Sequence, residues 1–260
     1  ALFWTSSVGQ TDFSNDGMEI SYLRLITDLL RSELLTYLVV ATPSVYDMAK
    51  LMVKDTKQKN NVILLPYGFD WDEMQKHQKD ELYENSIEHN WADLFCPADT
   101  RKNILVQMHG ARISNAHLHC SVLRPKFRNF ADHIGLNYTD LGWMDKKSLY
   151  YNMQLMKAGL QVTYAETFDY VVAEHFSLKR PCLISTVMGS WVDKELWKDL
   201  MVYNLDDPFE VADVLIHVLN MEEGERKELN DRCYKFMKGE ADRRNEKVKE
   251  VLTNLLERTK

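Results

Sequence analysis

Gln161–Ser185 reads QVTYAETFDYVVAEHFSLKRPCLIS, and the fold turns on this stretch. Leu160–Tyr164 is an apolar run of strand length. Phe168–Leu178 carries apolar residues at helical spacing, and Pro181–Ser185 is another short apolar run. Strand, helix and strand in such short order make a βαβ unit with parallel strands. In open parallel sheets ligands bind beyond the carboxyl ends of the strands, so the loop that starts at Ala165 is the first place to look for chemistry. Glu166 stands at the strand end and Glu174 further along the helix, in an E-x7-E spacing. Two carboxylates there accept hydrogen bonds from polyol hydroxyls, as sugar and ribose recognition requires. The helix start at Thr167 and Phe168 offers free N–H groups and a positive dipole end to a phosphate. Spacing alone leaves a plainer reading open, in which both are ordinary helix acids.

The alternation continues on both sides. Upstream, Ala1–Thr5, Leu34–Ala41 and Val62–Leu65 read as strands, and helices follow from Ile20 and over Ser44–Lys54, with Thr42 as N-cap before Pro43. The polar segment 71–100 reads as a helix and a connection between lobes. Downstream, Ile104–Met108, Asn137–Leu141 and Leu200–Asn204 read as strands. Residues 114–132 read as a helix that Pro125 should interrupt or kink, and Ser148–Lys157 and Phe209–Leu219 as helices. The expected fold class is α/β: a Rossmann-like parallel sheet with helices on both faces, a smaller partial α/β N-terminal lobe, and C-terminal helices. The expected division is 1–98, 99–240 and 241–260. In the last segment Val248, Val251, Leu252, Leu255 and Leu256 form a stripe by which a solvated helix docks.

Composition narrows the function. The net charge of −7 argues against a nucleic-acid partner held by phosphate neutralisation. Four scattered Cys form no C-x-x-C, which fits a reducing, cytoplasmic setting and excludes a cysteine zinc site. No apolar run is long enough to span a membrane. There is no Walker A, G-x-S-x-G or G-x-G-x-x-G motif. His117 and His119 are two apart on an expected helix and would not face one point, so no metal is expected there.

Two further loops offer ligand groups. After the expected strand Ile104–Met108 come His109, Gly110 and Arg112, where a glycine lets backbone approach a ligand and an arginine reaches a diphosphate bidentately. Trp143 follows Gly142 in the second, and tryptophan is more often core.

Gln161–Ser185 resembles the donor-binding signature of retaining GT-B glycosyltransferases of the glycogen-synthase-like, GT4 type. Val62–Asp70 (VILLPYGFD), Gln107–Arg112 (QMHGAR) and Tyr203–Leu219 (YNLDDPFEVADVLIHVL) are similar to further family stretches in the same order. The resemblance implies a GT-B fold. It implies a nucleoside-diphosphate-sugar donor, a glycan or other acceptor, and no metal or other cofactor. It makes Glu166 and Arg112 the catalytic pair, Glu166 on the sugar and Arg112 on the diphosphate, with Glu174 on the ribose. It adds Gly110, His117, Trp143, Thr167 and Phe168 to the donor site. His117 stands where the family has a lysine, so Arg124 or Lys126 could substitute and Asn115 could add a contact. The family glycines flanking the phenylalanine are Thr167 and Asp169 here, and the N-terminal lobe is short. Further domains of a longer polypeptide are an expected partner. A non-catalytic nucleotide-sugar-binding or assembly module is the alternative.

Overall fold

The computed structural model describes residues 2–4, 18–79, 89–95, 100–121, 123–166, 168–186 and 198–258. By contacts the chain divides into two compact units, Ala1–Phe69 with Ala165–Phe168 and Ala241–Lys260, and Asp70–Tyr164 with Asp169–Glu240. The expected boundary at residue 98 is thus replaced by one at 69/70, and residues 165–168 cluster with the first unit.

The first unit holds a parallel sheet of β1 (Leu2–Trp4), β2 (Leu38–Val40) and β3 (Val62–Leu64), in that order. Helices α1 (Met18–Arg31) and α2 (Pro43–Met52) connect them, and α2 starts as expected with Pro43 in its first turn after Thr42. Leu23, Ile26 and Leu30 recur at helical spacing on α1 and bury against Leu38, Val40, Val45, Ala49 and Val62. The sequence placed the second strand from Leu34, but Leu34 is exposed and only Leu38–Val40 pairs.

The second unit is a six-stranded sheet, parallel throughout, of β4 (Trp91–Leu94), β5 (His117–Cys120), β6 (Tyr138–Asp140), β7 (Ala158–Gln161), β8 (Cys182–Ser185) and β9 (Met201–Val202). Its order is β6-β5-β4-β7-β8-β9. The chain runs outward one way from β4, then returns to its other side at β7, which makes the β4/β7 gap a topological switch point. A short helix, α3 (Trp71–Gln75), precedes the sheet. The crossovers carry α4 (Ile104–Ile113), α5 (Pro125–His133), α6 (Lys146–Leu155) and α7 (Tyr170–Ser177), and α8 (Pro208–Leu219) follows β9. Asp145, Asp169 and Asp207 cap α6, α7 and α8 by accepting from Ser148, Val172 and Phe209 N–H groups.

Two sequence expectations fail here, for one reason. Ile104–Met108 is helix, not strand: Ile104, Gln107 and Met108 are buried at i, i+3 and i+4 on the face that packs on α8, while Leu105 is exposed, a helical period rather than alternation across a pleat. The strands that take its place, Trp91–Leu94 and His117–Cys120, carry Asp93, His117 and His119 and lack an apolar signature. Pro125 therefore opens α5 instead of kinking a helix over 114–132.

Gly110 lies in α4, where an added Cβ would stand 2.5 Å from Val211 Cγ1 and 3.2 Å from the Pro208 carbonyl oxygen of α8. Gly110→Ala is expected to cost about 1–3 kcal/mol by overpacking this helix pair, read by urea denaturation. An unchanged midpoint would show that α4 and α8 are not packed this closely.

The last helix, α9 (Glu223–Arg258), has residues 241–258 in the first unit. Asn245 there brackets the Phe69 peptide, accepting from its N–H at 3.2 Å and donating to its carbonyl at 2.9 Å. Of the expected docking stripe, Val251 is buried, whereas Leu252 and Leu256 are exposed.

Candidate functional site

The carboxyl ends of β4 and β7 define the crevice where an open parallel sheet binds its ligand. Leaving β4, the described chain resumes in a single 3-10 turn, Thr100–Lys102, ahead of α4. This places Arg101 and Lys102 on one wall. Val162, Thr163 and Tyr164, leaving β7, form the other. The walls are joined across the switch point, because the Tyr164 N–H donates to the Arg101 carbonyl at 2.9 Å. Gln107, wholly buried on α4, completes the tie. Its Nε2 donates to the Lys102 carbonyl at 2.6 Å, and its Oε1 accepts from the Val162 N–H at 2.7 Å.

The loop after β9 is laced into the same edge. Asn103 takes a left-handed conformation (φ 53°) and donates from Nδ2 to the Leu205 carbonyl at 2.7 Å. The Tyr164 hydroxyl donates to Asp206, and burial together with that bond pushes its pKa up to about 12. Glu210 accepts from the Tyr203 and Asn204 N–H groups. Three strand-end loops are thereby tied together at a turn that carries Arg101, half-buried, and Lys102, buried. That arrangement suits an anionic ligand that must be positioned rather than merely attracted.

Glu174 lies in the second turn of α7. Its Oε1 accepts from the Tyr150 hydroxyl of α6 at 3.0 Å. Burial raises its pKa, while the Tyr150 bond and the charges of His175 and Lys146 pull the other way. Glu166 is half-buried in the 165–168 segment of the first unit. Phe168 is buried there, with Tyr67 and Phe69 at 6.2 and 6.3 Å between ring centroids and the Arg244 guanidinium 4.7 Å over its face. Its ring is packing, not a ligand platform. Thr167 lies outside the described residues, as do Thr5–Gln10, Trp191 and Trp197.

The α7 N-terminus differs from the expected open phosphate cradle. Asp169 is its N-cap, with its Oδ1 accepting from the Val172 N–H at 3.4 Å. A buried carboxylate at that position competes with an anionic ligand for the same amides.

Gly110 and Arg112 leave the candidate set, since both sit on α4 rather than in a strand-end loop. Arg112 is in the last turn of that helix, and its Nε donates to the Ile134 carbonyl at 3.0 Å, just ahead of β6 at the amino edge of the sheet. His117 leaves it too: it is the first residue of β5, bonded through Nε2 to Thr139 Oγ1 at 2.7 Å, again at the amino edge. His117 and His119 are two apart on a strand and therefore share a face, against the helical expectation. Trp143 stays at the carboxyl edge, 83% exposed, beyond the outermost strand β6 and away from the switch point. Among the described residues no group of His, Cys, Asp or Glu is arranged to hold a metal ion.

One buried pair beneath the crevice escaped the sequence reading. Asp93 of β4 and His175 of α7 are both wholly inaccessible, with Oδ2 and Nε2 2.9 Å apart. Nδ1 of His175 lies 2.8 Å from the Val171 carbonyl, which can only accept. The ring rests on Gly159 of β7, where a Cβ would fall 2.4 Å from Nε2. Only glycine fits there. Burial raises the Asp93 pKa against the attraction of His175. For His175 burial opposes the charged ring, but the Asp93 charge and hydrogen bond override it and raise its pKa. Both shifts mean that the pair takes up a proton on folding.

With the fold and this edge in view, comparison with known proteins gives a consistent class. No protein-family model matches the chain, and no curated protein matches it. Solved structures do. Sucrose-phosphate synthase from Thermosynechococcus elongatus matches with a TM-score of 0.73 and 15% identity over 98% of this chain and 67% of that one. Anabaena HepE, in complex with UDP and glucose, matches with a TM-score of 0.71 and 11% identity over 96% of this chain and 71% of that one. The trehalose-6-phosphate synthase OtsA gives 0.68 and 14% identity over 92% of this chain, and this chain spans 62% of its length. The likeness establishes the fold, the α/β, parallel-sheet fold of GT-B glycosyltransferases. No helix among the described residues is long and apolar enough to cross a membrane.

Proposed function

We propose that this chain binds a nucleoside-diphosphate-sugar and transfers its sugar, with retention of anomeric configuration and without a metal, to a glycan or other acceptor, as a GT4-type glycosyltransferase. The observation that carries the reading is the switch-point crevice of the second unit, whose two walls are joined at Tyr164 N–H and Arg101 carbonyl, with Arg101 and Lys102 in the turn on one wall. Departure of a nucleoside diphosphate leaves an oxocarbenium-like sugar. The two cations stabilise the charge that develops on the leaving group. Glu174 holds the ribose hydroxyls, and Glu166 holds the transferred sugar.

These roles separate in kinetics. Glu174→Gln weakens nucleoside diphosphate and whole donor alike, a uniform loss of binding. Glu166→Gln leaves nucleoside-diphosphate affinity intact and lowers transfer or donor hydrolysis by about tenfold or more, as for a contact that tightens in the transition state. Calorimetry and single-turnover assays read both. If neither variant alters donor binding or turnover, the carboxylates have no place in the site.

Asp169 supports a second reading. A carboxylate on the α7 amides fits a binding or assembly module that kept the fold and lost turnover. A thermal-shift screen over nucleoside diphosphates and their sugars distinguishes the two when paired with a hydrolysis assay. A ligand at one hundred times its Kd adds about 2.7 kcal/mol of stability. Binding with no turnover and no slow donor hydrolysis selects the module.

A further inference from the structure

We propose that the amino-terminal edge of the second sheet carries a separate site for a neutral carbohydrate, formed by His89, Asn90, Trp91, Asn115, His117 and Asn137 where β4, β5 and β6 begin. These residues line a cleft of about 370 Å³, within the ~300–1,000 Å³ range of small-ligand sites. The cleft stands at the opposite end of the strands from the switch-point crevice, so the two do not share residues.

Its chemistry selects the ligand class. Among the described residues the lining has three carboxamides, two imidazoles and one indole, and no aspartate, glutamate, lysine or arginine. Among the described residues the cation nearest the wall is Lys157, which is buried and donates from Nζ to Asn90 Oδ1 at 3.4 Å, so the described lining itself offers no exposed charge to an ionic ligand. An apolar partner finds no aliphatic surface. A carboxamide offers both donors and an acceptor, as does a neutral imidazole, and rows of sugar hydroxyls ask for that mixture at fixed spacing. Burial lowers the His117 pKa, and burial together with His117 brings His119 behind it down to about 4, so both rings are neutral around pH 7.

The wall is also preorganised. The His117 N–H donates to the Asn90 carbonyl and the Leu118 N–H to the Asn137 carbonyl, each at 2.9 Å, which pins two of the asparagines by their backbones. Asn115 is held at a positive φ of 57°. His89 stacks on Trp91 at 4.2 Å between centroids. Trp91 meets His119 at 5.0 Å, and His119 meets His117 at 4.9 Å, so the rings form one continuous row. Both ring nitrogens of His119 are buried without a hydrogen-bond partner. The side chains of Asn115 and Asn137 are exposed, so ordering them around hydroxyls disturbs nothing in the core. In a sugar transferase such a site anchors a glycan away from the reacting end.

The test is an NMR titration of the whole chain with maltotriose, cellotriose and chitotriose, following the Trp91 indole and the histidine ring resonances. The expected result is a saturable shift of Trp91, His89 and His117 by at least one of them with a Kd on the order of 1 mM, unchanged by saturating nucleoside diphosphate. Asn115→Gly, which keeps the left-handed backbone, with Asn137→Ala should weaken it about tenfold or more, with unfolding temperature and nucleoside-diphosphate affinity unchanged. No saturable shift with any of the three sugars, shifts confined to the carboxyl edge, or full binding by the double variant would overturn the proposal.

Discussion

Asp93→Ala should lower the free energy of unfolding by about 3–5 kcal/mol, the largest stability effect expected of any single substitution in this chain. The alanine leaves the wholly buried His175 ring without its carboxylate at the centre of the sheet. It also opens space beside Gly159, whose hydrogen is all that separates β7 from the ring. Asp93→Asn retains a polar partner and should cost less. The same pair predicts a pH dependence. Because His175 has a folded pKa raised above 6.5, its contribution is fully present below that value and is lost as pH rises through the folded pKa. The raised pKa of Asp93 acts in the same direction. Urea melts of the wild type between pH 6 and 9 should show stability falling with pH, and Asp93→Asn should flatten the slope. A wild-type stability that rises over this range would mean that the pair does not hold its proton.

Arg101→Ala and Lys102→Met should each weaken nucleoside-diphosphate binding by about 1.5–3 kcal/mol, the size of a hydrogen bond to a charged group. Methionine keeps most of the apolar stem of Lys102, which is nearly buried, so a loss of affinity there reports charge rather than packing. The backbone carbonyls that Tyr164 and Gln107 use are untouched by either change. Calorimetry at two salt concentrations separates a specific contact, which persists, from surface attraction, which salt screens. Unchanged affinity in both variants would place the diphosphate elsewhere.

How far these residues could be read from the sequence depended on what buries them. β8 and α7 were legible because a fully buried parallel strand leaves an apolar run and a helix leaves a period, whereas the expected run Leu160–Tyr164 overlaps β7 (Ala158–Gln161) only at Leu160 and Gln161, because the small residues Ala158 and Gly159 that begin the strand carry no strong apolar signal. β4 was hidden because Asp93, midway along it, is buried by pairing with a histidine 82 residues away, which no local pattern records. β5 reads HLHC, with two histidines facing one side. Ile104–Met108 misled in the opposite direction. Its first three residues are all apolar although Leu105 is exposed, which gives the start of the helix the composition of a strand, and only its continuation through Gly110 to Ile113 shows the difference. That single exchange of strand and helix put Arg112 in an expected strand-end loop, whereas the structure has it at the amino edge of the sheet and Arg101 and Lys102 at the carboxyl edge. Glu174 was singled out by its spacing, but the Tyr150 hydroxyl that bonds it was not, because α6 and α7 meet only in the fold.

The central claim is that a nucleoside diphosphate binds at the carboxyl ends of β4 and β7. The most direct measurement is a crystal structure of the chain with UDP or another nucleoside diphosphate that stabilises it. The account predicts the diphosphate between the turn at Arg101 and Lys102 and the segment Val162–Tyr164, with the Arg101 guanidinium in hydrogen-bond contact and Glu174 on the ribose. A diphosphate bound against Arg112 or His117 at the amino edge, or a crevice that stays empty at saturating ligand, would contradict it.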